Sequence, residues 1–140
     1  MVETQGSLVH TEDITVRWCD MDAFGHVNNS VFFSYFESTR IAWWRTIAPT
    51  NVDWQDQGPV IINAACTFLK PIIYPEKLII QLFVGPPGRS SHECYYKIIS
   101  QNDTSLCYAE GSTKVVWVDR KLNRSIPLPD YIVKNLPQSK

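Results

Sequence analysis

The sequence predicts an α+β domain in which one long helix is wrapped by an antiparallel sheet. Two observations lead there. Between Ser30 and Ile47 a stretch rich in Phe, Tyr and Trp carries helical signals at both ends. A single strand precedes it, and four extended segments follow, joined mainly by short turns.

Taken in order, residues 1–11 read as a loose polar tail. From Glu12 to Trp18 the chain alternates, with Ile14, Val16 and Trp18 on one face and Thr15 and Arg17 on the other. Asn28, Asn29 and Ser30 are good N-cap residues, and Pro49 ends the helix they open. The helix is apolar on more than one face, which predicts that other structure wraps most of it. Glu37 and Arg40, three residues apart, can pair on its polar side. A polar connection, Thr50 to Gly58, leads into an extended apolar run from Pro59 to Lys70, punctuated by Pro71 and Pro75.

Glu76 to Gly85 then alternates cleanly, with Leu78, Ile80, Leu82 and Val84 sharing a face. After the turn Gly85-Pro86-Pro87-Gly88, the strand Ser90 to Ser100 places His92, Cys94, Tyr96 and Ile98 together. Gln101 to Thr104 reads as a hairpin turn. The last long strand, Ser105 to Val118, has a small-residue middle on its odd face (Ala109, Gly111, Thr113), which would let a bulky helix approach closely. Asp119 to Arg124 is a charged turn, and residues 125–140 form a proline-bearing tail with one helical turn at Tyr131–Asn135. No linker or repeat divides residues 1–140, which are read as one domain.

The totals narrow the function. The chain has 140 residues, 44% of them hydrophobic, enough for a real core. A formal net charge of −1 gives no electrostatic reason to expect nucleic acid or an anionic membrane as partner. No apolar run approaches bilayer length, and the N-terminus lacks the features of a signal peptide. Cys19, Cys66, Cys94 and Cys107 are far apart with no Cys-x-x-Cys, so reduced thiols and a cytoplasmic location are expected. His10, His26 and His92 show no ligand spacing, so no metal is expected.

The chemistry concentrates in Trp18-Cys19-Asp20-Met21-Asp22-Ala23-Phe24-Gly25-His26-Val27-Asn28-Asn29, between the first strand and the helix. Such a loop can present an acid or base beside the unpaired N–H groups of a helix N-terminus, where negative charge is favoured. Chemistry that develops an oxyanion fits there. Asp and Asn before a helix also serve as caps and turn formers, and Asp20 is the candidate for a structural role. The segment Gly85 to Ser91 lacks the Gly-Lys-[Ser/Thr] ending and following helix of a phosphate loop, which argues against nucleotide hydrolysis. No Gly-x-Ser-x-Gly is present. His92, Cys94 and Cys107 read as core packing.

From Asp20-Met21-Asp22-Ala23-Phe24-Gly25-His26-Val27-Asn28-Asn29 and the following Tyr35-Phe36-Glu37-Ser38-Thr39-Arg40, the chain resembles the hot-dog-fold acyl-CoA thioesterases of the 4-hydroxybenzoyl-CoA thioesterase-like branch. The Gly88-Arg89-Ser90-Ser91 turn and Val115 to Asp119 leading to Pro127-Leu128-Pro129 also look like that family. The resemblance covers about residues 10–130.

It implies a curved antiparallel sheet around the helix, dimers or tetramers with sites at the subunit interface, and no cofactor beyond the CoA of the substrate. It also implies that Asp22 is the catalytic carboxylate and that the backbone N–H of Asn29 holds the thioester carbonyl oxygen. Arg89, Ser90 and Ser91 would lie near the pantetheine or phosphate end of CoA. His26 and Asn28 are further candidates to contact substrate. Asp22 is expected either to attack the thioester or to deprotonate a water that does, and the residues leave both open. Two alternatives stand beside hydrolysis: a dehydratase or hydratase using His26 with Glu37, and a non-catalytic acyl-CoA-binding protein.

Overall fold

The computed structural model describes residues 6–138. β1 spans Ser7–Thr15, α1 Asn29–Ile47, β2 Gln57–Phe68, β3 Lys77–Val84, β4 Ser91–Ser100, β5 Cys107–Asp119 and β6 Arg124–Ser125; a short α2 covers Asp130–Val133. The strands form one antiparallel sheet in the order β1-β3-β4-β5-β2, with β6 also on β5. α1 lies across this sheet. No helix among the described residues is long and apolar enough to cross a membrane.

Alternation along the strands builds the core. Leu78, Ile80, Leu82 and Val84 of β3 are fully buried, as are Cys94 and Ile98 of β4 and Val115 of β5. α1 meets them with a stripe at three- and four-residue spacing: Phe32, Tyr35, Phe36, Thr39, Arg40, Trp43 and Trp44. The rest of its apolar surface is less covered than expected, since Phe33 and Ile41 stay exposed and look toward β2. The helix is therefore wrapped on one side rather than nearly all round.

The small middle of β5 does what its composition predicts. A Cβ on Gly111 would stand 2.5 Å from Phe36 Cζ and 3.1 Å from the carbonyl oxygen of Ala65, so only glycine lets the Phe36 ring rest on the strand. That ring stacks on Tyr96 with centroids 4.4 Å apart. The Tyr96 hydroxyl is satisfied in turn by Thr113 Oγ1 at 2.7 Å.

Both expected tails are partly built into the fold. β1 starts at Ser7 and pairs Ser7 with Val84 and Thr11 with Gln81, so residues 7–11 are strand; residues 1–5 lie outside the described residues. β1 also stops sooner than read. Asp20 caps the Arg17 N–H and draws the chain into a 3-10 turn over Trp18–Asp20. Trp18, expected on the core face, is thereby 73% exposed. At the other end the Ile126 N–H donates to the Trp117 carbonyl oxygen and the Leu128 N–H to that of Arg89, while Leu128, Ile132 and Leu136 are buried.

His92 is buried between Trp43 and Trp117, and its Nε2 has no partner among the described residues. Burial pushes its pKa down from 6.5 to about 4, against the opposing effect of a hydrogen bond to the Glu93 backbone. The fold thus favours the neutral ring, whereas the unfolded chain protonates near 6.5. Stability from this group is complete above pH 6.5 and is lost as pH falls toward 4, by on the order of 3 kcal/mol. Urea unfolding between pH 7 and 4 should show that loss in the parent and a flatter profile in His92→Phe; parallel profiles would assign the acid sensitivity elsewhere.

Candidate active site

The loop between β1 and α1 is a small closed hairpin. The Asp22 N–H donates to the His26 carbonyl oxygen and the Gly25 N–H to that of Asp22, both at 3.1 Å, and Met21 bridges Val27. Gly25 turns the tip at φ +88°, a conformation L side chains rarely adopt. The hairpin is fastened to the entrance of β3: the Val27 N–H reaches the Ile72 carbonyl oxygen at 2.8 Å, and the Tyr74 N–H reaches Met21 Sδ at 3.4 Å. Trp18 packs edge-on against Tyr74, ring centroids 5.5 Å apart.

The two aspartates have separate jobs. Asp20 is 2% exposed and accepts from the Arg17 N–H, Nε and Nη2 and from the Tyr35 hydroxyl, at 2.8–3.1 Å. Burial alone would raise its pKa, but the backbone and side-chain hydrogen bonds from Arg17 and that from Tyr35 outweigh it and hold the carboxyl below its ordinary value. Burial, and then the bond to Asp20, push the Tyr35 phenol well up. Asp20 is therefore the structural carboxylate.

Asp22 is half-buried. Its Oδ1 accepts from the Phe24 N–H at 2.9 Å and its Oδ2 from Asn28 Nδ2 at 3.0 Å. Asn28 is the N-cap of α1, its Oδ1 receiving the Ser30 N–H at 2.9 Å and the Ser30 hydroxyl at 2.7 Å. Both ends of the Asn28 amide are thus engaged within the chain. It serves as the helix cap, the role the sequence favoured over a contact with the acyl group, and it positions Asp22 against the helix start.

Asn29 is the first helical residue, and helix geometry leaves its N–H without an intrahelical acceptor. Asn29 and His26 line a cavity of about 190 Å³ together with Phe32, Phe68, Leu69 and Lys70. The His26 ring makes no hydrogen bond among the described residues, and its link to Asp22 runs through the backbone alone. Phe68, Leu69 and Lys70 were not singled out in the sequence. Pro71 marked the end of that strand, but nothing in the local pattern says that the exit of β2 meets the start of α1.

The remaining expected contacts lie elsewhere. The Arg89-Ser90-Ser91 turn joins β3 to β4 at the end of β3 away from the Asp22 loop, and β3 is eight residues long. That is roughly 25 Å of extended chain. The turn is tied instead to the C-terminal segment and β5, through the Leu128 and Trp117 N–H groups. Within one protomer it does not meet Asp22. Glu37 lies toward the middle of α1, 3.6 Å from Arg40, and lines other cavities than the one beside His26.

A family model described as the thioesterase-like superfamily matches residues 16–136. The chain belongs to that superfamily. Among solved structures, a Pseudomonas aeruginosa protein with a provisional thioesterase assignment is 39% identical, with 90% of this chain and 96% of that one covered and a TM-score of 0.83. An equally provisional acyl-CoA thioesterase from Xanthomonas campestris is 32% identical over 81% of this chain and 95% of that one, with a TM-score of 0.74. A 1,4-dihydroxy-2-naphthoyl-CoA thioesterase from Synechocystis shares the fold at 18% identity, covering 90% of this chain and 93% of that one, with a TM-score of 0.80. The superfamily member described here has the hot-dog fold and is a thioester hydrolase by class.

The different environments of the two aspartates predict different responses. Asp20→Asn removes a charge that four donors share and should cost about 2–3 kcal/mol in chemical unfolding. Asp22→Asn, half-exposed with two donors, should cost less than about 1 kcal/mol. Equal losses would remove the distinction.

Proposed function

We propose that this thioesterase-superfamily chain hydrolyses acyl-CoA thioesters, with Asp22 as the catalytic carboxylate and the Asn29 backbone N–H as oxyanion donor. The observation that carries the reading is the Asn28 amide, which holds Asp22 at 3.0 Å while capping the helix whose first N–H, that of Asn29, has no intrahelical acceptor. The carboxylate either attacks the thioester carbon, giving an acyl-aspartyl anhydride and free thiolate that water then resolves, or takes a proton from the attacking water. In both routes the carbonyl oxygen gathers negative charge, and a fixed N–H at the positive end of a helix stabilises it. The cavity lined by Phe32 and Phe68 offers an apolar seat for the acyl group beside His26. No metal or cofactor is required, the CoA being part of the substrate. Four free thiols suit a reducing compartment such as the cytoplasm.

The dehydratase alternative asks His26 and Glu37 to work on one substrate, and they line different cavities. Thiol release from a panel of acyl-CoAs separates hydrolysis from mere binding. Asp22→Asn should lower it about 10²–10⁴-fold. Asn29→Ala keeps the main-chain donor, but Asn29→Pro deletes it at the one helical position where proline is well tolerated. It should fold and lose about 10²–10³-fold. Full activity in Asp22→Asn would end the mechanism.

A homodimer or higher oligomer completes the reading. β2 is an edge strand with Ile62 59% and Phe68 41% exposed, a surface suited to covering by a second copy. Arg89, Ser90 and Ser91 reach a CoA held at Asp22 only if a partner subunit supplies them. Co-expression of Asp22→Asn with Arg89→Ala chains should then restore, in mixed oligomers, turnover at low acyl-CoA that neither variant has alone. No restoration, in oligomers shown to be mixed, would place the turn outside the site.

A further inference from the structure

Four large apolar side chains project from the two loops around the Asp22 hairpin. Phe24 is 86% exposed, Trp18 73%, Ile73 57% and Tyr74 39%. They belong to one held surface. The Val27 N–H on the Ile72 carbonyl oxygen and the Tyr74 N–H on Met21 Sδ fasten the hairpin to the 72–74 segment, and the Trp18 ring lies edge-on to that of Tyr74.

Turn chemistry does not ask for these residues. Hairpin tips are built mostly from Gly, Asn, Asp, Ser and Pro, yet Phe24 stands here beside Gly25. Its N–H serves Asp22, while its ring adds next to nothing to the packing of the chain. A Cβ on Gly25 would meet no atom within 4 Å, so the tip is unobstructed. Trp18 follows β1 and Tyr74 leads into β3, at the edge of the sheet opposite β2. A second copy pairing along β2 would lie at the other edge.

The chemistry of the patch says what it meets. The Trp18 indole N–H and the Tyr74 hydroxyl each put a polar tip on an apolar ring, the combination enriched where bilayer hydrocarbon meets water. Arg17 and Lys70, both exposed, have apolar stems that can follow such rings while their charges stay among headgroups. Protein partners seat apolar anchors in fitted pockets, whereas a bilayer accepts a projecting tip without one. The hairpin is already fastened, so insertion loses little ordering entropy.

We infer that the surface of Trp18, Phe24, Ile73 and Tyr74 docks the protein on a lipid bilayer, its side chains entering the interfacial layer. A formal net charge of −1 brings no long-range attraction to anionic lipid, so apolar insertion supplies the affinity. The docking does not depend on what Asp22 does.

Co-sedimentation of the full chain with phosphatidylcholine vesicles at physiological salt tests it. Binding that saturates with vesicle concentration is expected, changing by less than about twofold when phosphatidylglycerol is added or salt is raised. Phe24→Ser needs no repacking, keeps the main-chain N–H on Asp22, and should weaken binding about five- to tenfold. Trp18→Phe should keep most of the binding and lose the vesicle-induced blue shift of tryptophan emission, Trp18 being the exposed one of the five tryptophans. No co-sedimentation, binding only with anionic lipid, a Phe24→Ser chain that binds as the parent does, or a blue shift that survives Trp18→Phe would each overturn the docking. So would a changed oligomeric state of Phe24→Ser in light scattering, which would make the patch a contact between copies.

Discussion

The loop depends on one buried carboxylate. Asp20 takes three hydrogen bonds from Arg17, which fold the chain out of β1, and one from Tyr35 in the second turn of α1. Its own carbonyl oxygen receives the Asn28 N–H at 3.0 Å. One residue thus ties the end of β1, the N-cap and the helix body together, and Asp22 hangs between those fixed points. Charge-assisted bonds are stronger than neutral ones, and removing one donor from a buried carboxylate is costly. The energy that positions the site therefore sits in a residue that need not touch substrate.

A second constraint sets where α1 can lie. Phe36 rests on Gly111, stacks on Tyr96, and leaves no room for a Cβ on the strand beneath it. The small middle of β5 fixes the height of the helix over the sheet, and the Asp20–Tyr35 bond fixes its N-terminal end. Together they determine the direction in which the N–H of Asn29 points, which no property of Asn29 itself would decide.

Much of this was legible in the sequence, and the failures have physical reasons. Leu78, Ile80, Leu82 and Val84 declared their shared face through strict alternation, because a half-buried strand has no other way to separate its two environments. The helix declared itself through caps and Pro49. Trp18 misled because the alternating reading ran three residues past the end of β1 at Thr15, and only the side-chain cap of Asp20 on Arg17 says that the strand has ended. Ser7 to Thr11 look like a polar tail because an edge strand can pair through its backbone while keeping exposed side chains. The meeting of Phe68 and Leu69 with His26, and the distance of Arg89 from Asp22, depend on the sheet order β1-β3-β4-β5-β2, which local pattern does not encode.

The same composition, two aspartates two residues apart, yields two different hydrogen-bonding environments, and the donors around each carboxylate explain why. An ionised carboxylate offers about four lone-pair sites. On Asp20 the chain fills four, with donors from Arg17 and Tyr35. Nothing remains for a water or a substrate, and the pull on its pKa is toward permanent ionisation. On Asp22 the chain fills two, from Phe24 and Asn28. The carboxylate is oriented without being saturated, and it keeps lone pairs free on a half-exposed group. A nucleophile or a general base needs that combination: held firmly enough to aim, yet with capacity left to form the next bond.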